Sequence, residues 1–293
     1  MELSKLTGTG IALITPFESN GNIDFTALSK LVKHVSDGGV EYLVVMGTTG
    51  ESVTLNKEEK QSILNTVVDA NSKKLPIVLG VGGSNTKEVI EQIKQVDTSK
   101  VDAILSVSPY YNKPNQGGIY RHYMAIADAS PLPIILYNVP GRTGSNMTAQ
   151  TTLRLANHTN IIAMKEASGN FEQCMIIIKN KPAYFLVISG DDALTLPFIG
   201  IGMTGVISVI GNAYPDKFSN MVRKALENNF TEARTLHYEL LDAMVTIFAD
   251  GSPGGIKEIM HHLNLCGTHV REPLYNVNAE VKSQLLEIAG KIK

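Results

Sequence analysis

The chain has 293 residues, 43% of them apolar and 18% charged, which is enough to build a large core without a disulfide or metal staple. Its formal charge of -2 and scattered lysines leave no basic stripe for nucleic acid, so the expected partner is a small molecule. Cys174 and Cys266 stand far apart without C-x-x-C spacing, which argues against a disulfide framework and a structural zinc site.

The opening residues Met1-Glu-Leu-Ser-Lys-Leu-Thr-Gly8 lack the apolar region of a secretory signal, and a cytoplasmic location is expected. Short apolar runs then recur, each bounded by Gly, Pro or a polar turn: residues 8–15, 42–46, 76–80, 103–107, 133–137, 161–165, 184–189 and 205–209. Helix-length segments separate them. Asp24 opens one that Gly38-Gly39 closes, Asn56 with Glu59 forms a capping-box pair, and Thr86 precedes a charged first turn. Strands that are apolar on both faces and joined through helices are parallel strands covered by helices. Eight such units predict an α/β fold, a (β/α)₈ TIM barrel. A doubly wound open sheet uses the same grammar, but Gly80-Val-Gly-Gly83 lacks the third glycine of a dinucleotide turn.

The uncharged stretch at 193–215 is long enough to raise a membrane span. Pro197 and glycines 200, 202, 205 and 211 break it, so no membrane association is expected. After the eighth strand helices follow one another, at 215–228, 231–248, 255–263 and 279–293. The expected organisation is a catalytic barrel at 1–229 and a C-terminal helical appendix at 230–293.

Active sites of such barrels lie at the carboxyl ends of the strands, so the polar residue closing each run is a candidate. Lys165 closes Ile161-Ile-Ala-Met, and Tyr137 closes Ile134-Ile-Leu. An ammonium needs water or an anion, so a lysine ending an apolar run marks a strand leaving a dry core at a functional rim. A partly dry pocket favours the neutral amine, the form that attacks a carbonyl. Lys165 is therefore the candidate Schiff-base nucleophile, although a lysine snorkelling to solvent has the same local pattern. Tyr137 could donate to a carbonyl oxygen beside it, or be a core tyrosine. Gly47-Thr-Thr-Gly50 offers backbone N–H groups and hydroxyls for a small carboxylate, and it is no P-loop because the G-K-[ST] ending is missing. Arg142, just beyond Tyr137, could fork onto a second carboxylate. Asp191 and Asp192 read as loop or capping residues. His261, His262, Cys266 and His269 follow no metal spacing.

Taken together, Gly47-Thr-Thr-Gly-Glu-Ser52, Ser108-Pro-Tyr-Tyr-Asn-Lys-Pro114, Tyr137-Asn-Val-Pro-Gly-Arg-Thr-Gly144, Lys165-Glu-Ala-Ser168, Ser189-Gly-Asp-Asp192, Gly205-Val-Ile-Ser208 and Val270-Arg-Glu-Pro-Leu274 closely resemble the dihydrodipicolinate synthase family of class I pyruvate-dependent aldolases. The resemblance spans the chain. It implies a lyase in which Lys165 forms an imine with pyruvate and, as the enamine, attacks L-aspartate 4-semialdehyde before cyclisation, in lysine and diaminopimelate biosynthesis. It implies a proton relay of Thr48, Tyr111 and Tyr137, with Tyr111 reaching in from a neighbouring subunit of a dimer, in a tetramer built as a dimer of dimers. Thr49 would hold pyruvate's carboxylate and Arg142 that of the semialdehyde, with Gly190 and Ile207 lining the pocket. No cofactor or metal is implied beyond the covalent Schiff base. Ser52, Glu88 and Tyr110 match a regulatory lysine site, but Lys57 and Lys60 replace two family histidines, so weak or no lysine inhibition is expected. N-acetylneuraminate lyase and 2-keto-3-deoxy sugar acid aldolases share the lysine and tyrosine. Arg142 with Tyr110-Tyr111 suits a short carboxylated aldehyde better than a sugar. A non-catalytic binding protein would have no need of the Lys, Tyr and Thr set.

Overall fold

The computed structural model describes residues 3–292. In chain order it contains β1 (Gly8–Ala12), α1 (Phe25–Asp37), β2 (Tyr42–Val45), α2 (Lys57–Ala70), β3 (Ile77–Gly80), α3 (Thr86–Lys94), β4 (Ala103–Val107), α4 (Gln116–Ala129), β5 (Ile134–Asn138), α5 (Pro140–Thr143), α6 (Ala149–Leu155), β6 (Ile161–Glu166), α7 (Phe171–Asn180), β7 (Leu186–Ser189), α8 (Thr195–Gly200) and β8 (Gly205–Ser208). Then come α9 (Pro215–Leu226), α10 (Phe230–Thr246), α11 (Gly254–His262) and α12 (Ala279–Lys291). The strands form a closed barrel in sequence order, β1 to β8, and the TIM architecture with its helical C-terminal segment is as expected.

The chain divides into two compact units, residues 3–7 with 76–207 and residues 8–75 with 208–292. In the first, β3 through β8 pair in parallel order, with Ile104 opposite Ile134, Lys165 opposite Ile188 and Ser189 opposite Val206. In the second, β1 pairs with β2 through Gly10 and Tyr42, and α9 through α12 follow.

Helix starts obey a simple chemistry. Asn56, Asn85, Asn115, Asn170, Asn229 and Asn278, with Asp24 and Thr148, each turn a side-chain oxygen onto a backbone N–H of the first turn. At α2 the capping box is complete, with Asn56 Oδ1 accepting from Glu59 N at 2.8 Å and Asn56 N donating to Glu59 Oε2 at 2.9 Å. At α3 the cap is Asn85, one residue earlier than expected. Thr86 is already helical, and its hydroxyl meets His122 Nδ1 at 2.8 Å.

Some boundaries differ from expectation for identifiable reasons. The first strand stops at Ala12 rather than residue 15, where the Asn212 side chain takes over the backbone groups: its Nδ2 donates to Ala12 O at 2.9 Å and its Oδ1 accepts from Ile14 N at 3.2 Å. The seventh starts at Leu186, since Phe185 N is held by Pro182 O in a turn. The fifth and sixth each run one residue past the expected end, through Asn138 and Glu166. Lys293, the expected end of the last helix, lies outside the described residues. No helix among the described residues is long and apolar enough to cross a membrane.

Candidate active site

The pairing of β5 with β6 is shifted by one residue between Ile134 and Ile135: Ile134 faces Ile161, but Ile135 faces Ala163. In a regular ladder Tyr137 would sit opposite Met164. The shift puts it opposite Lys165, and since side chains alternate between faces, one rung decides whether the two side chains share a face. Lys165 Nζ lies 4.5 Å from the centre of the Tyr137 ring, within cation–π range. The lysine is only 6% exposed and does not snorkel to solvent; Tyr137 is 7% exposed.

Gly190 packs against this lysine. A Cβ on Gly190 would fall 2.7 Å from Ala167 Cβ and 2.9 Å from Lys165 Cε, so any side chain there would displace the amine. Its N–H donates to Glu166 O at 2.8 Å. Ile207 on β8 is buried.

One residue beyond Lys165, the Glu166 carboxylate is fully buried, and its partners are all neutral donors. Asn138 Nδ2 reaches both oxygens at 3.1 Å, Ser168 N donates to Oε1 at 2.7 Å and Gln173 Nε2 to Oε2 at 3.0 Å. A carboxylate only accepts, so both amides must turn their NH₂ groups toward it. Their carbonyl oxygens are then free to accept elsewhere: Asn138 Oδ1 from Met147 N at 2.9 Å, and Gln173 Oε1 from Asn146 Nδ2 at 2.8 Å. Asn146 Oδ1 in turn accepts from Asn138 Nδ2 at 2.8 Å, which closes a ring. Nearby, burial first and the Glu166 charge second push the Cys174 thiol up to about 12.

In the other unit, Thr48–Gly50 form a 3₁₀ turn after β2. Gly50 N and Glu51 N bond back to Gly47 O and Thr48 O, which narrows the backbone cradle to the N–H groups of Thr48 and Thr49. Thr49 is buried and Thr48 exposed. Thr15 Oγ1 donates to Gly50 O at 2.7 Å. Glu51 adopts a left-handed conformation (φ 53) with a buried carboxylate clamped by the C-terminal segment. Lys257 Nζ reaches its Oε1 at 2.6 Å and also donates to His269 O at 2.7 Å; Arg271 N donates to Oε2 at 2.9 Å. Burial pulls the Lys257 pKa down, and the Glu51 charge opposes that. Arg271 forks onto Glu59 at 2.6 and 2.9 Å, and both cations sit over the Phe17 ring.

The other expected residues are more open. Arg142 is exposed on α5, which Gly144 ends in the left-handed region (φ 67) before the chain turns back to Asn146. Tyr111 is 92% exposed with φ 70, so within this chain it does not join Lys165 and Tyr137. Tyr110 is half-buried and held by Ser84, whose Oγ donates to Tyr110 O at 2.6 Å. Glu88 is exposed in the first turn of α3, and Ser52 is half-buried. Asp191 Oδ1 caps its own loop at Leu194 N, and His261 Nδ1 bonds Cys266 O. Glu166, Asn138, Asn146, Gln173 and Lys257 were not anticipated from the sequence. A second charged residue directly after the buried lysine was the available signal for Glu166, and nothing local announces the rest.

The sequence profile described as the Dihydrodipicolinate synthetase family matches residues 5–292. A 4-hydroxy-tetrahydrodipicolinate synthase of Flavobacterium psychrophilum is 54% identical over 284 residues, 97% of either chain. Among solved structures, a dihydrodipicolinate synthase from Bacillus anthracis superposes with a TM-score of 0.93 at 38% identity over 98% of both chains. The chloride-inhibited enzyme from Acinetobacter baumannii, solved with pyruvate, gives 0.94 at 36% identity over 98% of this chain and 99% of that one.

Proposed function

Because the chain belongs to the dihydrodipicolinate synthetase family, we infer that its Lys165 condenses pyruvate with L-aspartate 4-semialdehyde. The activity is that of a 4-hydroxy-tetrahydrodipicolinate synthase, a class I aldolase-type lyase in lysine and diaminopimelate biosynthesis. The observation that carries the reading is a buried lysine sharing a rung with a tyrosine, with a glycine giving its side chain room.

The chemistry follows. The Lys165 amine adds to the keto carbon of pyruvate, and the carbinolamine loses water to give an imine, a stronger electron sink than the ketone. A methyl proton then leaves, and the enamine carbon attacks the aldehyde. The amino group of the semialdehyde moiety closes the ring on the imine carbon and releases the lysine. The covalent Schiff base serves in place of an external cofactor. Tyr137, Thr48 and Tyr111 are assigned the proton transfers of carbinolamine formation and collapse. Thr49 is assigned the pyruvate carboxylate and Arg142 the semialdehyde carboxylate, with Gly190 and Ile207 lining the pocket. The free, exposed position of Arg142 suits capture of an anion at the mouth.

Tyr111 supports a homo-oligomer: an aromatic side chain left almost wholly in solvent on a left-handed residue suits contact with a second copy. We propose a tetramer, a dimer of dimers, in the cytoplasm, and light scattering checks the mass. We further assign residues 1–229 to catalysis and 230–293 to a helical domain. Ser52, Glu88 and Tyr110 are proposed as a vestigial regulatory site. Lys57 and Lys60 add positive charge there, so lysine at submillimolar concentration should leave more than half the activity.

Borohydride trapping tests the central claim. Pyruvate and reductant should leave a stable mass increase on Lys165, and none on Lys165→Ala; an unmodified wild-type protein would sink it.

A further inference from the structure

We propose that Glu166 is a positioning residue for this reaction, acting through its amide ring on the Lys165–Tyr137 pair and on the segment that carries Arg142. The proposal rests on the imine reading above. Glu166 connects the parts of the site in that unit. Its side chain is bonded to Asn138, which follows Tyr137, on the rung next to the one that pairs Tyr137 with Lys165. Its backbone carbonyl holds Gly190, the residue that packs on Lys165 Cε. Through Asn138 Oδ1 to Met147 N, and through Gln173 to Asn146, it fixes the return of the chain after α5, where Arg142 lies.

The donor chemistry is specific. Asn138, Gln173 and Ser168 present three neutral donors to two oxygens, and only an acceptor on both sides satisfies them. Glutamine has the same shape, but its NH₂ must face one of these donors whichever way it is turned, so the ring has to reorganise. A neutral ring holds the carboxylate in place without cancelling its charge. It also transmits displacement, because every amide in it is engaged at both ends.

The test is steady-state kinetics on Glu166→Gln, with active sites counted by pyruvate–borohydride trapping. E166Q should lose about 30-fold in kcat/KM for the semialdehyde, the scale of a sub-ångström displacement of reacting groups. The loss should divide between kcat, through the displaced Lys165–Tyr137 pair, and semialdehyde KM, through the segment that carries Arg142, with the KM for pyruvate little changed. Exchanging the acid and amide in N138D/E166Q rebuilds one acceptor and one donor across the same rung, and should recover at least about five-fold over E166Q. A purely architectural role would lower the melting temperature of E166Q and leave kcat/KM per trapped site unaltered. That result overturns the proposal, and so does an exchange variant no better than E166Q. If E166Q does not fold, Asn146→Ala replaces it, since Asn146 is half-buried and at the Arg142 end of the ring. N146A should raise semialdehyde KM about five-fold with pyruvate KM unchanged, and an unaltered semialdehyde KM overturns the proposal. Wild-type protein that fails to trap pyruvate removes the functional reading itself. Trapping by wild type together with unaltered E166Q removes only the proposal.

Discussion

Two buried carboxylates each directly follow a stretch proposed for the site, and they are satisfied in opposite ways. Glu51, after Thr48-Thr49-Gly50, is held by the Lys257 ammonium from 206 positions away and by the backbone of Arg271. Glu166, after Lys165, is held by amides and a backbone N–H, the farthest 28 positions away in sequence. The first arrangement cancels charge and ties the C-terminal segment to a turn. The second leaves the charge standing and ties two strand ends together. An ion pair suits a place where a remote segment must be anchored. Neutral donors suit a place beside the amine proposed to form the imine, where a second cation would disturb that chemistry.

The largest effect expected from this contrast is at Lys257. Lys257→Met leaves Glu51 buried and unpaired on a left-handed residue, and should cost about 3–5 kcal/mol in denaturant unfolding. The apolar pair Glu51→Leu with Lys257→Met should regain most of that stability, since well-packed apolar side chains often match a buried ion pair. It should still raise the KM for pyruvate, because the C-terminal segment then no longer grips the Thr48–Gly50 turn, which keeps only the Thr15 hydroxyl on Gly50 O. If K257M unfolds like wild type, the clamp has no energetic role.

A buried base without an ion partner sharpens the same contrast. His122 on α4 is pushed from 6.5 down to about 4 by burial alone. The unfolded chain therefore takes up this proton as pH falls through 6.5, while the folded chain does so only near 4. Stability is at its full value above 6.5 and declines between these limits, by about 3 kcal/mol at most. Unfolding free energies of His122→Asn should show a flatter slope across that interval; a constant offset from the lost packing does not obscure the slope. A parallel pair of curves would mean that His122 is not the group responsible.

Glu166→Gln comes next, because an amide in place of the carboxylate leaves donors unmatched but no charge stranded. Its cost should be about 1–3 kcal/mol, below that of K257M. The order of the two is what matters: a larger loss at Glu166 would mean that the amide ring, not the ion pair, is the stronger structural bond.

Much of this was legible in advance where the information is local. The strand runs stand out because apolar residues cluster between Gly, Pro and polar turns, and Asn56 with Glu59 announces its capping box three residues apart. Lys165 and Tyr137, which the structure places side by side, stand out because each closes an apolar run at the end where a parallel barrel keeps its chemistry. The first strand was read too long because Leu13 and Ile14 are apolar whether or not they are laddered. The slip between Ile134 and Ile135 could not be read, since one extra residue in a ladder changes no composition, yet it is what brings the tyrosine beside the lysine. Partners such as Gln173 for Glu166 and Lys257 for Glu51 come from separate segments, and local periodicity carries no record of them.

The smallest predicted effect lies at the rim of the cationic clamp. Arg271 spreads its guanidinium over Glu59, Gly21 O and Thr54 O, with two contacts to the carboxylate at 2.6 and 2.9 Å. Arg271→Lys keeps the charge and the backbone N–H to Glu51 but loses the fork, since an ammonium cannot span these acceptors. A loss of about 1 kcal/mol is expected, well below that of K257M, because this pair is partly exposed. Arg271 holds the Glu59 carboxyl below the usual range chiefly through their hydrogen bonds. The stabilisation is therefore complete above the ordinary glutamate pKa and fades as pH falls through the lowered one, so wild type and R271K should converge in acid. A difference that persists unchanged in acid would assign the effect to the contacts with Gly21 and Thr54 instead of the ion pair.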